Sequence, residues 1–235
     1  MRAQQEPGAG PGGPRKEESA LDFSLYYITP EKNSGERSDR EVVEAAIAGG
    51  ATVIQLRKKE MTTRRLLELG QALRELTRRR GVPLIINDRV DLALALEADG
   101  VHLGEEDLPP ALARKILGPG KIIGRTVRTV EQAREAQREG ADYLGAGAVF
   151  PTGSKHDTRI IGLEGLRAIC RAVNLPVVGI AGISAGNARQ VIEAGAAGVA
   201  VISSLAFAPD VKQAAAALAK EISAGKRRWK GDEPV

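Results

Sequence analysis

Two short apolar runs in this chain stop abruptly on oxygen-bearing side chains. Leu84-Ile85-Ile86 runs into Asn87-Asp88, and Val101-His102-Leu103 runs into Gly104-Glu105-Glu106-Asp107. A third run, Val53-Ile54, ends in Gln55-Leu56-Arg57-Lys58-Lys59. If all three are parallel barrel strands, Asp88 and Asp107 meet at one rim, where carboxylate oxygens suit a hard cation such as Mg²⁺. Gln55, Arg57 and Lys59 are spaced by two, so in an extended chain they share a face. Arg brings a planar fork and Lys a point charge to phosphate oxygens. Carboxylates for Mg²⁺ beside cations for phosphate point to diphosphate chemistry. Plainer readings stand beside these. Asp88 and Asp107 each precede a stretch with helical signals and can act as N-caps, and the cations can belong to a solvated loop.

Further along, Gly124-Arg125-Thr126-Val127-Arg128 offers hydroxyl and cationic contacts to an anionic or heteroaromatic ligand. The stretch Gly147-Ala148-Val149-Phe150-Pro151-Thr152-Gly153-Ser154-Lys155-His156-Asp157-Thr158 is long and dense in Gly, hydroxyls and charge. Such content suits a lid, with Lys155 able to close on a leaving diphosphate. Gly179-Ile180-Ala181-Gly182-Ile183-Ser184 and Ile202-Ser203-Ser204 match the paired loops whose backbone N–H groups cradle a phosphate in barrels. One anion site thus combines metal ligands with cations, and the other is metal-free and fits a monophosphate. That pairing implies two substrates joined with loss of pyrophosphate. His102, set among apolar neighbours, reads as a structural histidine, and Cys170, inside a helical pattern, as a small apolar residue.

The elements that must position these residues follow from the hydropathy rhythm. Apolar runs at 25–28, 52–56, 83–86, 100–103, 121–124, 142–146, 176–180 and 198–202 alternate with amphipathic stretches. Eight βα units within about 215 residues fit a single closed (β/α)₈ TIM barrel of the α/β class better than an open doubly wound sheet. The open sheet would want a Gly-rich phosphate loop after its first strand, and Thr29-Pro30-Glu31-Lys32 is not one. The barrel is expected over residues 21–224. Residues 1–20, rich in Gly, Pro and charge, read as a disordered tail, and 225–235 as a flexible basic tail.

Composition narrows the function classes. Aromatics make up 3% of the chain against 43% apolar residues, so the core must be built from Ala, Val, Ile and Leu. A net charge of +4, without aromatics interleaved among the basic residues, gives no nucleic-acid footprint. No apolar stretch reaches the ~18 residues of a membrane span. The N-terminus lacks the apolar core of a signal peptide, and the single cysteine forms no intrachain disulfide. The expected setting is cytoplasmic, the expected partners are small molecules, and self-association stays open.

Taken together, Gln55-x-Arg57-x-Lys59, Asn87-Asp88, His102-Leu103-Gly104-x-x-Asp107, Pro151-Thr152-x-x-Lys155, Gly179-Ile180-x-Gly182-Ile183 and Ile202-Ser203 resemble the thiamine-phosphate synthase family. The resemblance spans nearly the whole chain between the tails. It implies a (β/α)₈ transferase joining 4-amino-5-hydroxymethyl-2-methylpyrimidine diphosphate to hydroxyethylthiazole phosphate, or its carboxylated form. By position it implies that Gln55, Arg57, Lys59, Asn87, Thr126 and Lys155 contact the pyrimidine diphosphate and that Asp88 and Asp107 bind Mg²⁺. Thr152, Ser154, Gly182, Ile202 and Ser203 would hold the thiazole phosphate. Catalysis would fall to Lys155, Arg57 and Lys59, which stabilise charge on the leaving group. Four positions depart from the family pattern: Ala148 replaces a frequent Pro, Ala181 a frequent Gly, Thr126 a common Ser whose hydroxyl it keeps, and Arg128 a frequent His. A thiazole tautomerase-like barrel, which shares Gly124-Arg125-x-Val127 but uses that His, and a non-catalytic phosphate-binding barrel remain the alternatives.

Overall fold

The computed structural model describes residues 21–32, 37–152 and 159–229. Eight strands, β1 (Leu25–Ile28), β2 (Val53–Leu56), β3 (Leu84–Asn87), β4 (Gly100–Leu103), β5 (Ile122–Val127), β6 (Tyr143–Ala146), β7 (Val177–Ile180) and β8 (Gly198–Val201), pair in parallel in sequence order. β8 returns to β1, with Leu25 opposite Val199 and Tyr27 opposite Val201, and closes the barrel. The helices are α1 (Asp39–Ala48), α2 (Thr63–Arg80), α3 (Val90–Ala95), α4 (Pro110–Leu117), α5 (Val130–Arg138), α6 (Gly162–Ala172), α7 (Ala188–Glu193), the one-turn α8 (Ser203–Ala206) and α9 (Val211–Trp229). Each of the eight expected apolar runs overlaps a strand, with β3 and β5 extending past the runs 83–86 and 121–124. Among the described residues, no helix is long and apolar enough to cross a membrane.

Local chemistry sets several element ends. Ser38 caps α1 through a reciprocal pair with Glu41: the Glu41 amide donates to the Ser38 hydroxyl, and the Glu41 carboxylate accepts from the Ser38 amide. In α2, Leu66, Leu73 and Leu76 recur on one buried face, while Arg78, Arg79 and Arg80 are exposed and Arg74 is drawn in to pair with Asp99 at 2.6 Å. Gly81 then ends that helix in the left-handed conformation, φ +65°, which a side chain would strain.

Alternation along each strand divides the core in two. Tyr26, Val53, Ile85, Tyr143, Val178 and Ala200 fill the barrel interior. Tyr27, Ile54, Leu84, Ile86, Val101, Leu144, Val177 and Val199 pack outward under the helices. Fully burying a Leu or Ile contributes about 1.5–3 kcal/mol, so the outer layer, with its many Leu, Ile and Val, holds the helices in place. Two of the three tyrosines of the chain therefore sit inside the barrel, where the branched aliphatics of a typical interior would stand.

The C-terminal boundary differs from the expectation. The basic stretch after residue 225 continues α9 to Trp229 instead of starting a flexible tail there. Gly225 explains the continuity: it is buried against α7, and a Cβ there would come 2.8 Å from the Cβ of Ile192. A residue that reads as a helix breaker is here the point of close helix–helix approach. Residues 1–20 and 230–235 lie outside the described part.

Candidate active site

The C-terminal ends of the strands open into one cavity of about 910 Å³. Gln55, Arg57, Asn87, Thr126, Thr152, Gly182, Ile202 and Ser203 all border it, together with Tyr26, His102, Arg128, Tyr143 and Phe207. Lys59, Asp88 and Asp107 stand at the rim beside it. Ser154 and Lys155 lie outside the described residues.

At the β2 rim the alternation expected of Gln55, Arg57 and Lys59 is present. Gln55 is buried and Arg57 borders the cavity, while Lys58, pointing the other way, is buried in an ion pair with Asp39 at 2.8 Å. The loop is held by residues after β1 that sequence reading passed over. The Thr29 hydroxyl accepts from the Arg57 amide at 2.9 Å and donates to the Arg57 carbonyl. The Glu31 carboxylate accepts from the amides of Lys59 and Glu60, both at 2.9 Å. Burial alone would raise the Glu31 carboxyl, but those amides and the charges of Arg57 and Lys58 outweigh it and hold the group below its ordinary value. Their signal was a hydroxyl and a carboxylate just past a strand end, indistinguishable by themselves from an ordinary loop.

Asp88 and Asp107 are not helix caps. Arg89 caps α3 and Pro109 caps α4, neither through a side chain. Asp88 adopts φ +62°, which turns the chain sharply after β3. Its carboxylate lies 3.2 Å from the Lys59 ammonium. Asp107 accepts from the Gly104 amide at 2.6 Å. The Asp88 carboxyl is pushed up, first by desolvation and then by the neighbouring Asp107, with Lys59 opposing. A carboxylate whose proton affinity is raised by a second carboxylate beside it belongs to a donor set that a divalent cation relieves. Among the described residues no group of three or more His, Cys, Asp or Glu side chains gathers to hold a metal. Two protein carboxylates fit Mg²⁺, which keeps waters and substrate phosphates as its other ligands.

The floor is polar. The Gln55 side-chain amide donates to the Tyr26 hydroxyl at 2.8 Å, and the hydroxyls of Tyr26 and Tyr143 are 2.8 Å apart. His102 Nδ1 lies 2.9 Å from the Tyr143 hydroxyl, and its Nε2 lies 2.9 Å from Thr126 Oγ1. Burial pushes both tyrosines well above the ordinary phenol range, so they stay neutral donors. The structural reading of His102 is thus accurate as to bonding, but the ring also borders the cavity.

Across the barrel the chemistry changes. Ala181 and Gly182 after β7 both have positive φ, +73° and +68°. A Cβ on Gly182 would press on the backbone of Phe150 and Pro151, so glycine is required there. Asn187 fixes the loop by accepting from the Ser184 amide at 2.8 Å and donating to the Gly182 carbonyl at 3.0 Å. The Ser204 hydroxyl donates to the Ile183 carbonyl, tying α8 to the β7 loop. Gly182, Ile202 and Ser203 thereby line one wall, the usual place of a barrel phosphate cradle.

A profile of the thiamine monophosphate synthase family matches residues 25–205. The chain belongs to the thiamine monophosphate synthase family. The thiamine-phosphate synthase of Moorella thermoacetica is 54% identical over 202 residues, 86% of this chain and 96% of that one. That of Haloarcula marismortui is 51% identical over 210 residues, 88% of this chain and all of its relative. Among solved structures, thiamine phosphate pyrophosphorylase from Pyrococcus furiosus superposes with a TM-score of 0.80 at 47% identity, covering 87% of this chain and 98% of that chain. The chain is accordingly a thiamine-phosphate synthase-type transferase acting on small molecules. Within that family frame, Arg125 turns away from the ligand space. Its guanidinium is spent on the carbonyls of Gly104, Glu105 and Leu108. Arg128 does border the cavity, held by the Glu105 carboxylate. A guanidinium stays protonated and cannot shuttle protons as a tautomerase would require.

Proposed function

We propose that this barrel condenses 4-amino-5-hydroxymethyl-2-methylpyrimidine diphosphate with hydroxyethylthiazole phosphate, or with its carboxylated form with loss of CO₂ and uptake of a proton at the freed ring carbon, to give thiamine phosphate and pyrophosphate. One observation carries the reading: a single cavity is bordered on one side by Gln55, Arg57, Asn87 and Thr126 and on the other by Gly182, Ile202 and Ser203. Two differently built anion sites facing one volume suit a two-substrate condensation.

Arg57, Lys59 and Lys155 bind the diphosphate. Asp88 and Asp107 would hold Mg²⁺, which when bound neutralises charge on the leaving diphosphate. Gln55, Asn87 and Thr126 orient the pyrimidine so that its 4-amino group donates electrons to the methylene carbon as the C–O bond to pyrophosphate breaks. Thr152, Ser154, Gly182, Ile202 and Ser203 hold the thiazole phosphate so that the ring nitrogen meets that carbon. The cations are preorganised where charge develops, so their contribution falls on kcat. No strong base is needed, because the attacking nitrogen carries no proton. The setting is cytoplasmic, with neither nucleic acid nor membrane as partner.

Pyrophosphate release is the test, with both substrates and Mg²⁺ present and with EDTA and single-substrate controls. The expected result is release that needs all three, with thiamine phosphate formed in step. Folded protein that binds the substrates without coupling them would overturn the reading in favour of a binding-only barrel.

A further inference from the structure

The five side chains on the cavity floor come from five strands and form one continuous series of short contacts. Gln55 Nε2 is a donor only, so the Tyr26 oxygen accepts from it. One continuous order follows when Tyr26 gives its own hydrogen to the Tyr143 oxygen, 2.8 Å away. Tyr143 in turn gives its hydrogen to His102 Nδ1 at 2.9 Å. An imidazole that accepts at Nδ1 is neutral only with its proton on Nε2, and that proton goes to Thr126 Oγ1 at 2.9 Å. Thr126 accepts from the ring and keeps its hydrogen for the cavity it borders.

Two glycines make room for this chain. A Cβ on Gly124 would strike the Tyr143 ring, and one on Gly145 would come 3.1 Å from His102 Cε1. Neither glycine has a positive φ, so the empty Cβ position serves the neighbouring ring and not the backbone. Phe23 packs on the other part of Tyr143, with ring centroids 4.5 Å apart. Tyr143 is only 1% exposed where it meets the cavity wall, so its hydroxyl takes its partners from the protein.

We propose that Gln55, Tyr26, Tyr143, His102 and Thr126 form a one-way hydrogen-bond relay. In it Tyr26, Tyr143 and His102 are positioning residues, and His102 is a neutral Nε2–H imidazole. The relay fixes both ends at once. Gln55 is left with Oε1, an acceptor, and Thr126 with O–H, a donor. A flat heteroaromatic ring that donates from an exocyclic amino group and accepts at a ring nitrogen matches this pair, whereas an oxo analogue sets acceptor against acceptor at Gln55. This part of the inference rests on the proposed pyrimidine substrate; the order of hydrogens does not. Reversing the relay would require turning the Gln55 amide and moving the His102 proton together, so neither end can change its preference alone.

The chain has two histidines, His102 and His156, so protein labelled with ¹⁵N-histidine gives two imidazole patterns, assigned with His156→Ala. The expected pattern for His102 in the intact protein is a neutral Nε2–H tautomer through the neutral pH range. In Tyr143→Phe, which keeps the ring, Nδ1 loses its donor and the tautomer becomes mixed. A His102 found as Nδ1–H, or as an imidazolium at neutral pH, would overturn the relay. Turnover supplies the second arm. Tyr143→Phe should raise KM for the pyrimidine diphosphate about 5- to 100-fold, in line with unpairing a buried polar group, while KM for the thiazole phosphate stays put. Equal changes in both, or none, would count against a positioning role. If no thiamine phosphate forms but the Nε2–H tautomer holds and yields to Tyr143→Phe, the proposed activity fails and the relay stands.

Discussion

The two sides of the cavity hold anions by different means. Around β2, β3 and β4 the work is done by full charges on side chains: Arg57, Lys59, Asp88 and Asp107 lie at or just past strand ends, with Lys59 paired to Asp88 and Asp107 beside it. Around β7 and β8 it is done by backbone shape, with Gly182 at positive φ, Asn187 clamping the loop and the short α8 starting at Ser203. Charge suits a leaving group whose negative charge grows during the reaction. A cradle of amides suits a phosphate that keeps its charge throughout. The first arrangement should therefore govern kcat and the second KM.

Metal removal gives the largest contrast. EDTA should abolish pyrophosphate release while leaving thiazole phosphate binding, measured by calorimetry, within about twofold, because the Gly182 side is lined by no carboxylate among the described residues. Loss of both together would erase the distinction. Next in size, Arg57→Ala should lower kcat by about 10²–10³-fold, the range for removing one preorganised donor to developing charge. An effect confined to KM would place Arg57 in ground-state binding instead. On the other side, Gly182→Ala should raise KM for the thiazole phosphate and cost roughly 1–3 kcal/mol of stability through backbone strain, with the pyrimidine KM little changed. Thermal melts alongside steady-state kinetics separate the two effects.

Away from the cavity, Cys170 in α6 offers a smaller test of the barrel body. Burial pushes its thiol up to about 11, so roughly 0.1% is thiolate at pH 8. Alkylation at pH 8 should be far slower in the folded protein than in urea and should quicken as pH rises toward 11. Rapid labelling at pH 8 would mean that α6 does not pack as described.

Sequence reading reached the barrel because its evidence is local. Each apolar run and each helix-ending glycine lies within a few residues of the element it marks, and all eight runs overlap a strand. The rim residues were legible for the same reason, since a strand's C-terminal end lies one residue from the loop that carries them. The continuation of α9 past residue 225 was hidden because composition alone reads 225–235 as a tail, and only the packing of Gly225 against Ile192 shows otherwise. The contribution of Thr29 and Glu31 was equally hidden, because their partners lie 28 and 29 residues ahead, across a helix.

The sequence by itself determined the number and order of the strands, the face each side chain takes along them, and which polar residues arrive at the rim. Period-two alternation and hydrophobic burial act over a handful of neighbours, so they can be read from neighbours alone. Tertiary structure alone decided that Asp88 and Asp107 face each other and not their helices, that Arg125 is spent on backbone carbonyls, and that Tyr26 meets Tyr143 across 117 residues. Those outcomes depend on closure of the barrel, which fixes distances between residues that no local interaction relates.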